Sequence, residues 1–276
     1  MKSTILLAFT IVSFSSKAQE GPCEYLEKAI DHFQNKQLDS AITLMTYVVE
    51  NMPDTTNCYG RCFNNIPLAY ASLGQFDQSK IWFNRILHSK LNDKEPGTDI
   101  MEPYANYHHN ACMKMVQVHQ TLKEFPQAIQ YLDSAETTYP FETFSGTGFE
   151  KRAVSIAMWK SRIYLEMNQK DNAIYALLSK TLDTDVRFRK PDYETLSNVD
   201  FYSSVNEELL ELIGKDQINK VKSSIKDGIR KLTIVTEGKK TFGVFTYNNL
   251  QYRIGLSEEK SKKELVEKLL SNHFFD

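Results

Sequence analysis

The amino-acid sequence predicts a mainly α-helical chain: about four antiparallel helical pairs, further helices that close them, and a small β-containing end. Three observations carry that prediction. A polar turn followed by Ala or Ser recurs along the first two thirds of the chain, a bulky or ring-bearing residue precedes each of those small residues at a fixed distance, and convincing β patterns appear only after residue 231. Composition agrees, since 41% hydrophobic and 25% charged residues over 276 positions are ordinary for a soluble globular chain. The formal net charge of -2 supplies no global field that would recruit nucleic acid or an anionic membrane surface.

The first element is an address. Lys2 precedes the apolar run TILLAFTIVSF, and Ser16-Lys17-Ala18 places small residues where a signal peptidase reads them. Residues 1–18 are therefore expected to be a signal peptide, cut before Gln19. The apolar run is short against the roughly 20 residues a spanning helix needs. Cys23 follows Glu20-Gly21-Pro22, which is unlike the Leu-Ala-Gly type of sequence that precedes a lipidated cysteine. No later segment is apolar enough to span a bilayer. The expectation is an exported protein, periplasmic or secreted, without stable membrane insertion after cleavage, its charge moving from -2 to -4 with the loss of Lys2 and Lys17.

Helical pairs follow. Their turns read Lys36-Gln37-Leu38-Asp39-Ser40-Ala41, Gly74-Gln75-Phe76-Asp77-Gln78-Ser79, Lys123-Glu124-Phe125-Pro126-Gln127-Ala128 and Asn168-Gln169-Lys170-Asp171-Asn172-Ala173. Four residues after each closing small residue stand Met45, Phe83, Leu132 and Leu177, one turn on along the same helix face. Nine residues before it stand His32, Tyr70, His119 and Tyr164. Pro53 and Pro140 follow two of the second helices, where a residue without an N–H ends a helix at little cost.

These positions resemble the tetratricopeptide repeat (TPR), a 34-residue helix-turn-helix unit. The second repeat is nearest, with Tyr70, Gly74, Phe76, Ser79, Phe83 and Ile86 on the pattern, and the resemblance covers about Cys23 to Thr184. The small residues lie 38, 49 and 45 apart, so the connections are longer than in a tight array. The resemblance implies a TPR-like α-solenoid over residues 19–185, whose units bury each other's apolar faces. It also implies a partner-binding concave face lined by first helices. Those residues would be Leu26, Ile30 and Phe33, then Arg61, Asn64 and Leu68, then Asn110, Met113 and Gln117, then Met158, Arg162 and Leu165. For Leu26, Ile30 and Phe33 a core position is an equal alternative. The Lys/Asn clamp with which some relatives hold a chaperone's C-terminal carboxylate is not present.

Four cysteines survive cleavage, and an even count in an oxidising compartment favours disulfides. Cys58 and Cys62 stand about 6 Å apart on one helix face with nearly parallel Cβ directions, which argues against pairing them together. The expectation is that each reaches a different neighbour, Cys23 on one side and Cys112 on the other. A metal site formed by Cys58, Cys62, His108, His109 and Cys112 is disfavoured, because C-x3-C and H-H-x2-C are not the tight spacings of structural zinc modules. His32 and His119 read as packed rings. No metal and no cofactor is expected.

The segment LNDKEPGTDIMEPYAN, Leu91 to Asn106, reads as an extended loop, and FETFSGTGFEK, Phe141 to Lys151, as a flexible connection that lacks the phosphate-cradling pattern. Residues 186–231 are expected to be capping helices, with Leu209 to Ile229 at helical spacing and a break at Gly214. Residues 232–276 form the small β-meander plus helix: strands over Leu232–Thr236, Thr241–Tyr247 and Leu250–Leu256, a two-residue turn at Asn248-Asn249, and a helix from Ser257 to about Asn272. At roughly 45 residues this module is too small to stand alone and should dock on the preceding helices.

No GxSxG, HExxH or nucleotide fingerprint occurs, and no acid–base couple stands out. The expected function is a non-enzymatic, exported interaction scaffold that binds a protein or peptide on its concave face, with no nucleic-acid partner. The alternative is a small-molecule or glycan binder of the cell envelope that stacks its ligand on Tyr104, Tyr107, Trp82 or Trp159.

Overall fold

The computed structural model describes residues 23–52, 57–97, 104–144, 146–182, 201–256 and 261–275. The expected signal peptide with its cleavage site, Pro53, and Ser257 at the start of the last expected helix lie outside the described residues. The chain divides into two compact units, one of residues 1–118 with 142–144, the other of residues 119–141 with 145–276.

Unit 1 contains α1 (Glu24–Gln34), α2 (Leu38–Asn51), α3 (Asn57–Ser72), α4 (Phe76–Leu87) and most of α5 (Tyr107–Thr121). Unit 2 contains the end of α5, then α6 (Phe125–Thr137), α7 (Gly146–Glu166), α8 (Lys170–Thr181), α9 (Phe201–Ile213), α10 (Ile218–Arg230), β1 (Thr233–Glu237), β2 (Lys240–Tyr247), β3 (Leu250–Leu256) and α11 (Lys262–Leu270). In unit 1 the helices α1 to α4 pack each on the next, and in unit 2 the helices α6 to α9 do so; next-but-one helices also touch, α1 with α3 and α7 with α9. That is the stacking of a TPR-like array of helical pairs, joined to a small antiparallel sheet of order β1-β2-β3.

The repeat is sharpest in its turns. The residues with positive φ are Lys36, Gly74, Lys123 and Asn168, at 61°, 74°, 59° and 58°. After each, the next residue donates its N–H back to the carbonyl of the ring residue: Gln37 to His32, Gln75 to Tyr70, Glu124 to His119 and Gln169 to Tyr164, all at 2.8–2.9 Å. The positive-φ residue itself donates to the carbonyl three before it, on Phe33, Ala71, Gln120 and Leu165. Those paired bonds are the Schellman closure, which satisfies carbonyls a helix end leaves open. The small residue then donates to the turn, Ala41 to Gln37, Ser79 to Gln75, Ala128 to Glu124 and Ala173 to Gln169, at 3.0–3.1 Å.

All four small residues are fully buried, and Met45, Phe83, Leu132 and Leu177 are at most 2% exposed. Ser79 has a further task. Pro67 interrupts α3 and leaves the Phe63 carbonyl without its usual N–H donor. The Ser79 hydroxyl donates to the Pro67 carbonyl at 2.8 Å and pins α4 to that weak point of α3.

Two expectations shift at the connections. Gly146 to Lys151 is helical, the first turn and a half of α7, rather than a flexible connection. Glycine costs little there, because the first-turn amides of a helix have no intrahelical partner in any case. The last helix begins at Lys262, where Ser261 and Glu264 form a reciprocal capping box.

The C-terminal module shares one core with the preceding helices of unit 2, as its size required. Leu177 and Leu178 of α8, Val205 and Leu209 of α9, Ile225 of α10 and Tyr252 of β3 belong to a single buried cluster. Gly214, at φ 85°, ends α9. Helix α9 stacks on α7 and α8, whereas α10 packs on β2 and α11. So α9 caps the array and α10 serves the sheet. Two glycines permit that packing. A Cβ on Gly243 would lie 2.4 Å from Leu265 Cδ2, and one on Gly228 3.0 Å from Phe245 Cδ2. The β2–β3 turn is Asn248-Asn249, both with positive φ, as a two-residue I′ turn demands.

Candidate partner-binding faces

Helical periodicity places one row of first-helix residues away from each pair's core. Eleven positions before the small residues stand Ile30, Leu68, Gln117 and Arg162; the first three are half-buried and Arg162 is exposed. Phe33, Arg61, Asn64, Asn110 and Met158 are also half-buried, and Leu165 is 37% exposed. Leu26 and Met113 are corrections. They are 2% and 8% exposed, because each turns into the core of its pair, and neither offers a surface.

In unit 1 this row is apolar at Ile30 and Leu68 and polar around Arg61, Asn64, Asn110 and Gln117. Lys114, which the sequence reading passed over, lies one turn beyond Asn110 on α5 and donates to Gln117 Oε1 at 3.3 Å. Burial holds its ammonium below the ordinary lysine value. Its i+4 relation to Asn110 was the signal available in the sequence.

Unit 2 carries its own row. The Trp159 indole N–H donates to Gln120 Oε1 at 2.9 Å, and Gln120 Nε2 donates to Glu166 Oε1 at 2.6 Å. Arg162 lies 3.6 Å from Glu208 of α9. Behind the row, Lys160 reaches Asp133 and Glu136 of α6, each at 2.7 Å. Burial works to lower that ammonium, and the two carboxylates overcome it, so Lys160 is held above its ordinary value.

The cysteines divide. Cys23 and Cys58 form a disulfide with Cα atoms 5.6 Å apart, tying the start of α1 to the first turn of α3. The second expected tie does not form. Cys62 and Cys112 are free thiols, fully buried in the core, and burial pushes both up to about 12, so they remain neutral and unreactive. With Cys58 in the disulfide and His108 bonded to Asp93, two of the five Cys/His groups weighed as a metal site are committed elsewhere. Among the described residues no three His, Cys, Asp or Glu side chains are arranged to hold a metal ion.

The four aromatic residues considered as stacking surfaces are engaged too. Trp82 is buried beneath the Arg85 guanidinium, 3.9 Å from the ring centroid. Tyr107 is buried and donates its hydroxyl to Glu95, Trp159 is bonded to Gln120, and Tyr104 packs on Phe144. Among the described residues no helix is long and apolar enough to cross a membrane.

No family model matches the chain, and no curated protein matches it. Among solved structures it is similar to a Podosopora anserina protein with nearly identical TPR-like repeats, described as a kinesin light chain, at 15% identity and a TM-score of 0.44, over 70% of this chain and 87% of that one. A point variant of that protein compares at 14% identity and a TM-score of 0.43, over 71% and 88%. The fold assignment rests on the chain's own turns and helix crossings.

Proposed function

We propose that this chain is a non-enzymatic interaction scaffold, exported from the cytoplasm, that binds an extended peptide or a helix of another protein along the first-helix faces of its repeats. The observation that carries the reading is the repeated row Ile30, Leu68, Gln117 and Arg162, which holds one register in four helices and is nowhere absorbed into the core. A stacked array needs its small residues and the apolar residues one turn on to be buried; it does not need this row to be half-open and mixed in polarity. The Cys23–Cys58 disulfide supports export, because such bonds persist in oxidising compartments.

The test uses the chain from Gln19 onward as bait on an envelope extract, with three baits in parallel: wild type, Leu68→Asp on the first-helix face, and Ile81→Asp on the exposed side of α4. A partner identified by mass spectrometry should then bind Leu68→Asp about tenfold or more weakly and Ile81→Asp as tightly as wild type. Equal binding by wild type and Leu68→Asp removes the proposed face.

A further inference from the structure

The corner where Leu91–Gly97 meets the first turn of α5 is built from polar contacts. Asp93 Oδ1 accepts the His108 backbone N–H at 3.0 Å, and Asp93 Oδ2 faces His108 Nδ1 at 2.9 Å. On the far side of the same ring, Nε2 faces the Ser89 carbonyl at 3.3 Å. A neutral imidazole has one N–H and one lone pair, whereas the imidazolium donates from both nitrogens. Two acceptors facing the two ring nitrogens fit the charged form. Deprotonation leaves one nitrogen's lone pair against an acceptor oxygen, which is repulsive.

The corner is coupled to the partner-binding row. The Ala105 N–H donates to the Glu95 carbonyl at 2.9 Å, and the Asn106 N–H to the Asp93 carbonyl at 3.0 Å. The side chain of Asn110, one of the row, donates to the Ala105 carbonyl at 3.0 Å. We propose that His108 is a pH-sensitive latch: charged, it fastens Leu91–Gly97 to α5, and loss of its proton loosens that segment and the Asn110 side chain held through Ala105.

Among the described residues, the charged groups around the latch are Asp93, Lys94 and Glu95 on the segment, Glu142, which lies 3.7 Å from Lys94, and Arg61 on α3. His88 and Lys90 flank Ser89 at the end of α4 and are exposed. On α5 itself Tyr107 and Cys112 are neutral, both raised chiefly by burial, and His109 is buried next in sequence. Among the described residues, Asp93 is the carboxylate in contact with the ring. It holds the His108 imidazolium above the ordinary value of 6.5 against burial, which works in the opposite direction. The sign follows: a raised histidine contributes its full stabilisation below its unfolded pKa and loses it as pH rises through the folded one. The latch is therefore fully closed below pH 6.5 and opens as pH rises through the raised folded value.

The test reads the latch without any partner, so its failure is separate from failure of the binding proposal. In the full chain, the imidazole of His108 is followed by NMR, and amide exchange of Ala105, Asn106 and His108 is compared at about pH 5.5 and about pH 8.5 after correction for intrinsic rates. The expected result is a His108 midpoint above 6.5 and protection that falls with it, about tenfold for each unit by which the midpoint is raised. His108→Gln should abolish the pH dependence, while His88→Gln should keep it. If His108→Gln loses helix by circular dichroism, Asp93→Asn decides, since it must lower the His108 midpoint. Protection that is equal at both pH values, a His108 midpoint at or below 6.5, or an unchanged midpoint in Asp93→Asn overturns the proposal.

Discussion

Helix α1 in unit 1 and helix α8 in unit 2 flank the same kind of turn, one before it and one after it, yet are held by different means. Helix α1 buries only Leu26 and Ala29, and a disulfide from Cys23 to Cys58 fastens it to α3. Helix α8 buries Ala173, Ile174, Ala176, Leu177, Leu178 and Thr181 in a core continued by α9, β3 and α11. Among the described residues, the first helical pair of unit 1 and the last of unit 2 each have another helical pair on one side only. At one end the apolar face is thin and a covalent tie limits the freedom of the unfolded chain; at the other, a capping helix and a sheet supply the missing apolar surface. The lesson is that the end of a helical array can be secured through the unfolded state or through the folded one.

Four substitutions probe that contrast. The largest effect is expected from Leu209→Ala, which removes a fully buried side chain from the unit 2 cluster and should cost about 2–5 kcal/mol. Urea unfolding would show it, and exchange of unit 1 amides should be unchanged. Next, Cys23→Ser should cost about 2–4 kcal/mol, visible as lost amide protection in α1 while α8 keeps its own. Protection lost equally in both helices would mean that the tie does not act locally. The smallest effects lie in the turns. Gly74→Ala should destabilise by about 1 kcal/mol, and Lys36→Gly should stabilise by about 0.5–1 kcal/mol, because both positions hold positive φ; thermal melts resolve the two signs.

Much of the fold was legible because it rests on local spacing. The turn, the small residue and the ring lie within ten positions of one another, so a single helical pair displays them all. The two hairpins and the break at Gly214 were legible for the same reason. The capping box Ser261-Lys262-Lys263-Glu264 lies within four consecutive positions, and it is what starts the last helix at Lys262. What stayed hidden depends on three-dimensional neighbours. Asp93 and His108 are fifteen positions apart across a Pro- and Gly-bearing connection with no periodicity to link them. The solenoid register put Cys23, Cys62 and Cys112 alike near the starts of first helices, but only Cys23 has a thiol facing it, that of Cys58. For the proposed partner-binding row, register supplied the candidate positions, and only burial could separate Leu26 and Met113 from Ile30 and Gln117.

The closure shared by the four turns has a consequence for how such a chain can diverge. Only one of its left-handed positions is a glycine; the others are lysine, asparagine and lysine, held by the same backbone bonds. Each turn thus closes on its own backbone bonds, and the letters at its left-handed position or the stretches between hairpins can change without opening that closure. Kinship in such chains survives longer in the pattern of peptide hydrogen bonds than in the alphabet of side chains.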